Sequence, residues 1–405
     1  MKITYKSIYT FCLYIVLFLN LGFLNIIGTV DRKTFLVSII LSLLTYLVYL
    51  CQPNKKHVNS PIMLIYILLS IIIFIIQLIR MKHLNFTRMS SGSAFITFGG
   101  IILILLAFPI YELDIDKNKR LLKNIVILGC SALLLRTILW LFFNFANTNL
   151  APAFFVGKET WSRPIFGKYL TRLTGTFLDG FVFVYFINNF FKTNSYKKFK
   201  YFMGIIFLFI YSLVIYQSRF QTLTYVIVFL IMSYLQNKSL KNKYFIISFV
   251  VITFMFGYDF IKNFFNTFSI NSIGYGGSTQ ARLAGIQYLF NEWKNTSLWW
   301  GFGFRYDNET KYQWTTFYLS DYGILANLFQ LGISGFLVYI IPFIKGIITS
   351  FKVKNNTLLN GFTLFICIYS CSINPYLMQQ ITILPLFIGL ILCGVDEERT
   401  IINYE

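Results

Sequence analysis

Residues 263–335 hold the stretch on which the reading of this chain turns. It opens on Asn271-Ser272-Ile273-Gly274-Tyr275-Gly276-Gly277-Ser278 and later runs through Trp299-Trp300-Gly301-Phe302-Gly303-Phe304-Arg305 before Asp321 enters the next apolar segment. Between these, Leu283, Ile286, Leu289, Phe290 and Trp293 recur at helical spacing, which predicts a short amphipathic helix with Arg282 near its start. Four of the six tryptophans lie between Trp293 and Trp314, more amphipathic aromatic surface than a plain connector needs. This loop is therefore expected to be the working surface.

On either side the chain is membrane-like. Of 405 residues, 57% are hydrophobic and 12% charged, against roughly 25% charged in soluble domains. Apolar runs of about 17 to 25 residues recur, each long enough for a ~30 Å hydrocarbon layer. The expected fold class is all-α: one polytopic integral membrane domain over residues 1–405, with about twelve spans and one large extracytoplasmic loop at about 263–320. The spans fall near 7–28, 34–51, 61–79, 93–111, 124–145, 175–191, 200–217, 220–236, 244–262, 322–344, 357–373 and 378–394. The first reads as a retained span, since no small-residue cleavage site follows it.

The net charge of +20 is mostly a topology signal. Basic clusters at 55–56, 117–120, 197–200, 238–243 and 345–354 fall on one face if the spans alternate, which makes that face cytoplasmic together with both termini. The opposite face then carries the 80–92 loop, the 146–174 loop, the turn at 217–219 and the large loop. These also hold Arg80, Lys82, Arg88, Lys158, Arg163, Lys168 and Arg172. Charge sorting does not account for a basic outer face; an anionic ligand does.

Arg219 sits between two apolar segments, where an arginine either snorkels to headgroup phosphates or holds a phosphate bidentately in an outward cavity. Arg282, after Gly276-Gly277-Ser278-Thr279, stands in the first turns of the amphipathic segment beside free backbone amides, a second anion site or a headgroup contact. Arg172 and Arg305 are further candidates, each readable as a plain structural charge. Asp321 is the best-placed carboxylate, compatible with a helix cap as well as with proton transfer. Glu292 and Glu309 read as solvated, Asp179 and Asp259 as partners for these arginines, and the tail from Asp396 as a solvated end. The six cysteines read as packing residues, and neither His57 nor His83 has metal-ligand neighbours. With no P-loop or dinucleotide fingerprint either, no cofactor and no metal is expected, and an activated substrate must bring its own leaving group.

Arg172-Leu173-Thr174-Gly175-Thr176-Phe177, Ser218-Arg219, Arg282 with Trp293, Gly301-Phe302-Gly303, Asp321-Tyr322-Gly323 and Leu331-Gly332-Ile333-Ser334-Gly335 follow one another in an order that resembles the bacterial O-antigen ligase/polymerase superfamily. Within it the chain resembles the Wzy-type O-antigen or capsular polysaccharide polymerases, over roughly 172–340. The ligases look to carry histidine and asparagine where Asp321-Tyr322 stand here, and this loop has no histidine, which points towards a polymerase. The resemblance implies a GT-C-like membrane glycosyltransferase of the bacterial plasma membrane. It would act on the extracytoplasmic face, with undecaprenyl-diphosphate-linked oligosaccharides as donor and acceptor. Membrane lipids and a chain-length regulator protein would be partners, and nucleic acid would not. In that setting Arg219, Arg282 and Asp321 would be catalytic: two guanidinium groups on the diphosphate, one carboxylate on the acceptor hydroxyl. Arg172, Arg305, Trp293, Trp314 and Tyr306 would bind substrate. A ligase and a flippase for the same lipid-linked oligosaccharide are the alternatives; a flippase would place its binding residues near mid-membrane in two repeated halves.

Overall fold

The computed structural model describes residues 4–26, 31–81, 90–151, 162–165, 168–173, 175–193, 195–236, 262, 265–271, 276–305, 311–312, 315–353, 356–378 and 380–404. Helices dominate them. They are α1 (Tyr5–Asn20), α2 (Asp31–Leu50), α3 (Pro61–Met81), α4 (Ser91–Phe98) running on through a 3-10 stretch into α5 (Ala107–Glu112), and α6 (Lys119–Phe145). After a hairpin of β1 (Ser162–Ile165) and β2 (Lys168–Thr171) come α7 (Phe177–Lys192), α8 (Ser195–Ile210) with a π turn after it, and α9 (Arg219–Gln236). The loop contributes α10 (Gly276–Thr296), a two-residue-per-strand hairpin (β3, Lys311–Tyr312; β4, Thr315–Thr316) and a 3-10 turn, Leu319–Tyr322. The chain closes with α11 (Leu325–Lys352), α12 (Thr357–Tyr369) and α13 (Leu384–Tyr404).

Among the described residues six stretches are long and apolar enough to cross a membrane: Arg32–Leu50, Pro61–Met81, Gly92–Glu112, Lys119–Phe145, Lys197–Ile215 and Leu325–Lys352. α1 and α12 are apolar but shorter. The expected spans at 175–191, 220–236 and 378–394 coincide with α7, α9 and part of α13, while most of 244–262 lies outside the described residues.

The helix starts follow from local chemistry. Pro61 opens α3, where its missing N–H costs nothing. Asn118 accepts from the Leu121 amide at 3.0 Å to cap α6, and Asn356 does the same for Leu359 at 3.2 Å in α12. α7 begins with a capping box, Thr176 and Asp179 bonding reciprocally. Its Phe181, Val182, Phe183 and Val184 are all buried, with Phe181 edge-on to Phe362 of α12.

The loops gather at two opposite ends of the bundle. At one end Lys56 pairs with Asp114, Asn59 donates to Asp396 (3.0 Å), Lys352 pairs with Glu398 (2.6 Å), Asn356 donates to Glu397 (3.3 Å) and Thr357 bonds Asn188. Two of the basic clusters expected on one face, 55–56 and 345–354, thus share this end, while 238–243 lies outside the described residues. The tail beyond Asp396, expected as a solvated end, instead continues α13 to Tyr404 and offers its carboxylates to those loops. Unmatched positive charge on neighbouring loops draws it in.

At the other end Arg80, on the last turn of α3, donates to the carbonyls of Trp300 (2.7 Å) and Gly301 (3.3 Å), and Gln77 also reaches Trp300 (2.8 Å). Trp140 and Asn144 of α6 hold the Thr171 carbonyl, Leu173 N–H bonds Ile215, and Ile324 N–H bonds Ser370 at 2.8 Å.

α11 is not the uninterrupted span that its apolar sequence predicts. Gly332 takes φ 70°, ψ −169°, and breaks it. The peptide groups freed there are taken up by the loop: Phe302 and Gly303 N–H donate to Phe329 (3.0 Å) and Gln330 (2.9 Å), while Ile333 and Ser334 N–H donate to Leu298 (3.0 Å) and Trp299 (3.2 Å). Irregular backbone at membrane depth is tolerated when protein satisfies it in this way. The fit leaves no room for a side chain: a Cβ at Gly301, itself at φ 67°, would lie 2.4 Å from the Gln330 oxygen, and one at Gly332 would lie 2.3 Å from the Trp299 carbonyl. Gly301→Val is expected to cost on the order of 3 kcal/mol or more, as a strained left-handed residue plus an overpacked contact. Thermal unfolding in detergent checks it; an unshifted melting curve would contradict the clasp.

Candidate functional site

α10 is amphipathic, but it buries only part of the predicted face. Leu289 and Trp293 join Phe302, Leu319, Tyr322, Ala326 and Phe329 in a small core of their own, while Leu283, Ile286 and Phe290 are exposed. The docking point is Gly285. A Cβ there would fall 1.8 Å from the Tyr322 hydroxyl and 2.8 Å from the Phe317 ring, so only glycine lets Tyr322 lie against the helix. Asp321 precedes Tyr322 and Arg282 stands one turn before Gly285. That docking brings the two together, Arg282 Nε to Asp321 Oδ2 at 3.4 Å.

The pair is open. Its side chains are 38% and 41% exposed, and 3.4 Å is long for a charged hydrogen bond, so the two groups hold each other loosely and both are reachable from outside. Beside it, burial pushes the Tyr322 hydroxyl up to about 12, with the Asp321 charge adding and Arg282 opposing. Tyr322 therefore stays a neutral donor through the physiological range.

The turn from α8 into α9 supplies another cation at this end of the bundle. Gln217 adopts φ 54° and donates to the Leu170 carbonyl at 3.1 Å, and Arg219 follows at the first position of α9. The Arg219 guanidinium donates to the Thr267 carbonyl and lies 4.6 Å from the Phe268 ring, so the early part of the large loop is folded over it. Tyr216 ties the turn to α12, its hydroxyl 2.9 Å from that of Tyr369, and it lies within electrostatic range of both Arg172 and Asp321. Arg172, Arg219, Arg282 and Asp321 thus belong to one end of the bundle, with Arg282 and Asp321 in direct contact and Tyr216 within electrostatic range of Arg172 and Asp321.

Two other expected substrate residues are placed differently. Arg305 is 7% exposed; it donates to Glu292 at 3.1 Å and its guanidinium sits 4.4 Å from the Phe302 ring. It braces the loop, and Glu292, expected to be solvated, is its counter-ion. Trp293 is 8% exposed and its indole donates to Leu298 at 3.2 Å, so neither face is open for a sugar. Trp293 falls on the stripe that α10 must bury when it docks on the bundle, and Arg305, beyond the helix, is drawn in by Glu292. Trp314, Tyr306, Glu309 and Asp259 lie outside the described residues.

Asp179 pairs with none of the anticipated arginines. It faces Arg136 of α6 at 3.4 Å through both carboxylate oxygens, and Arg136 also donates to the Leu21 carbonyl at 3.1 Å. Thr176 satisfies the remaining acceptor sites (2.8 and 3.0 Å), leaving the pair 3% and 1% exposed. Arg136 is the residue that sequence reasoning missed. A lone arginine inside an apolar run was itself the signal, since such a charge needs a buried partner.

A narrow cleft also went unanticipated. Asn327 and Asn374 exchange amide hydrogen bonds (3.2 and 2.9 Å) in its wall, with Gln330, Tyr339, Tyr376 and Phe304 around them. Among the described residues no group of three or more His, Cys, Asp and Glu side chains is placed to hold a metal. No known family model matches the chain, and no curated protein does.

Proposed function

We propose that this chain polymerises undecaprenyl-diphosphate-linked oligosaccharide repeat units into a surface polysaccharide, moving the growing glycan onto the non-reducing end of a new lipid-linked unit. The observation that carries the proposal is the half-exposed Arg282–Asp321 pair at the end of the bundle that also holds Arg219 and Arg172. The acceptor hydroxyl attacks the anomeric carbon of the donor's first sugar, and the bond to the diphosphate breaks. Fixed guanidinium charge meets the negative charge that develops on the leaving diphosphate. Asp321 orients the hydroxyl and takes its proton. Arg219 and Arg282 are the diphosphate clamp, with Arg172 the third cation.

The accompanying topology is twelve passes through the bacterial plasma membrane, both termini cytoplasmic, with the site and the 263–320 loop outside. A membrane-impermeant thiol reagent is expected to label Tyr318→Cys from outside intact cells and to spare Phe351→Cys; the reverse pattern would invert the sides.

The purified chain in vesicles with lipid-linked repeat units is expected to form a ladder of polymers and release undecaprenyl diphosphate. A folded chain that only moves single units across the bilayer would replace this proposal with transport. Gly285→Ala tests the geometry. Its methyl group displaces the Tyr322 hydroxyl and, with it, Asp321, so polymer yield should fall at least tenfold, consistent with the ~10²-fold cost of small misplacements. Adding Tyr322→Phe, which removes the clashing oxygen, should restore part of it. No loss in Gly285→Ala would separate activity from this contact.

A further inference from the structure

α10 has three faces rather than two. Gly285, Leu289 and Trp293 turn to the small core. Gln280, Gln287, Asn291 and Lys294 form an exposed polar stripe. Leu283, Ile286 and Phe290, spaced by three and four residues, form a separate apolar stripe that is 50%, 39% and 45% exposed. The chain leaves α10 into Leu298, Trp299 and Trp300, whose exposures are 45%, 63% and 36%.

This apolar surface adjoins a known kind of surface. Arg80 grips the Trp300 carbonyl from the last turn of α3, and α3 is one of the helices long enough to cross a bilayer. The outward side chains of α3 in its second half, Ile72, Ile75 and Ile79, are 40%, 49% and 55% exposed, as lipid-facing residues are. The two tryptophans therefore stand where a lipid-facing helix ends, the depth at which tryptophan partitions into the headgroup boundary. A helix with one apolar and one polar exposed stripe settles along that boundary.

We infer that α10 lies in the bilayer boundary, its stripe of Leu283, Ile286 and Phe290 and the pair Trp299 and Trp300 seated among phospholipid headgroups and upper acyl chains, with Gln287 and Asn291 towards water. The occupant is the phospholipid of the same membrane that α3 crosses. It follows that the Arg282–Asp321 pair, one residue from the stripe, stands at the level of lipid phosphates, whatever reaction takes place there.

The test uses the full-length chain, cysteine-free, in phosphatidylcholine and phosphatidylglycerol vesicles. It carries one spin label at a time in place of Leu283, Gln287, Phe290 or Asn291. Labels at 283 and 290 are expected to collide readily with dissolved oxygen and to be several-fold less accessible to an aqueous nickel chelate than labels at 287 and 291. High nickel access at 283 and 290 would put the stripe in water. Low access to both reagents would put it against protein, a second copy included. Either result overturns the inference. Should the cysteine-free chain fail to fold, tryptophan quenching in the native-cysteine chain decides. Phospholipids brominated near the headgroup are expected to quench the parent strongly and the double variant Trp299→Phe, Trp300→Phe far less; equal quenching overturns the inference.

Discussion

Arg282→Ala and Asp321→Asn are each expected to lower polymer formation by roughly 10²- to 10³-fold, the range found when one preorganised charge-stabilising group is removed. The melting temperature should hardly move. The two side chains are 38% and 41% exposed, and an ion pair in that setting contributes about 0–1 kcal/mol. Loss of product without loss of fold separates chemistry from scaffolding. Gel ladders of polysaccharide should collapse to single lipid-linked repeats, while the amount of folded protein in the membrane stays constant. Arg219→Ala added to Arg282→Ala should leave no polymer. Parental chain lengths in that double variant, stably expressed, would remove the diphosphate clamp from consideration.

The opposite pattern is expected for Arg136 and Asp179. Removing either one leaves a bare charge in the bundle, at a cost of about 3–5 kcal/mol. Asp179→Ala should also release the Thr176 amide and hydroxyl that hold the start of α7. Both single variants should therefore lose folded protein, read as yield and melting temperature in detergent. Replacing the two together, Arg136→Leu with Asp179→Leu, should recover much of the loss, because two apolar side chains need no partner. A double variant as unstable as the sum of the singles would show that Leu21 and Thr176, rather than the charge pair, carry the energy.

Much of the frame was legible from hydropathy. The run from Pro61 to Met81 has an uncommonly apolar composition and forms α3 nearly at its predicted bounds. The alternation of basic loops also anticipated which loops share an end, as Lys56 with Asp114 and Lys352 with Glu398 show. The break at Gly332 was not legible. Leucine and isoleucine flank it, and what stabilises it is a backbone partner some thirty residues upstream that no local pattern announces. At the site, Arg282 and Asp321 were readable as chemistry, and the contact between them was not. It depends on Gly285 accommodating Tyr322, a coincidence of two distant positions. Periodicity marked Trp293 correctly as part of an apolar stripe; its indole went to the inner core, and Leu283, Ile286 and Phe290 went outward.

The interlock of 298–303 with the broken α11 limits how the loop can move. Swinging that edge outward would break the four peptide hydrogen bonds made at Phe329, Gln330, Ile333 and Ser334, at roughly 0.5–1.5 kcal/mol apiece. That edge is a fixed mooring, and on the proposed function bulky lipid-borne cargo would pass on the Arg282 side, where the described residues show no matching set of backbone bonds to the bundle. Amide exchange should reveal the asymmetry as slow protons at Ile333 and Ser334 beside faster ones in the first turns of α10.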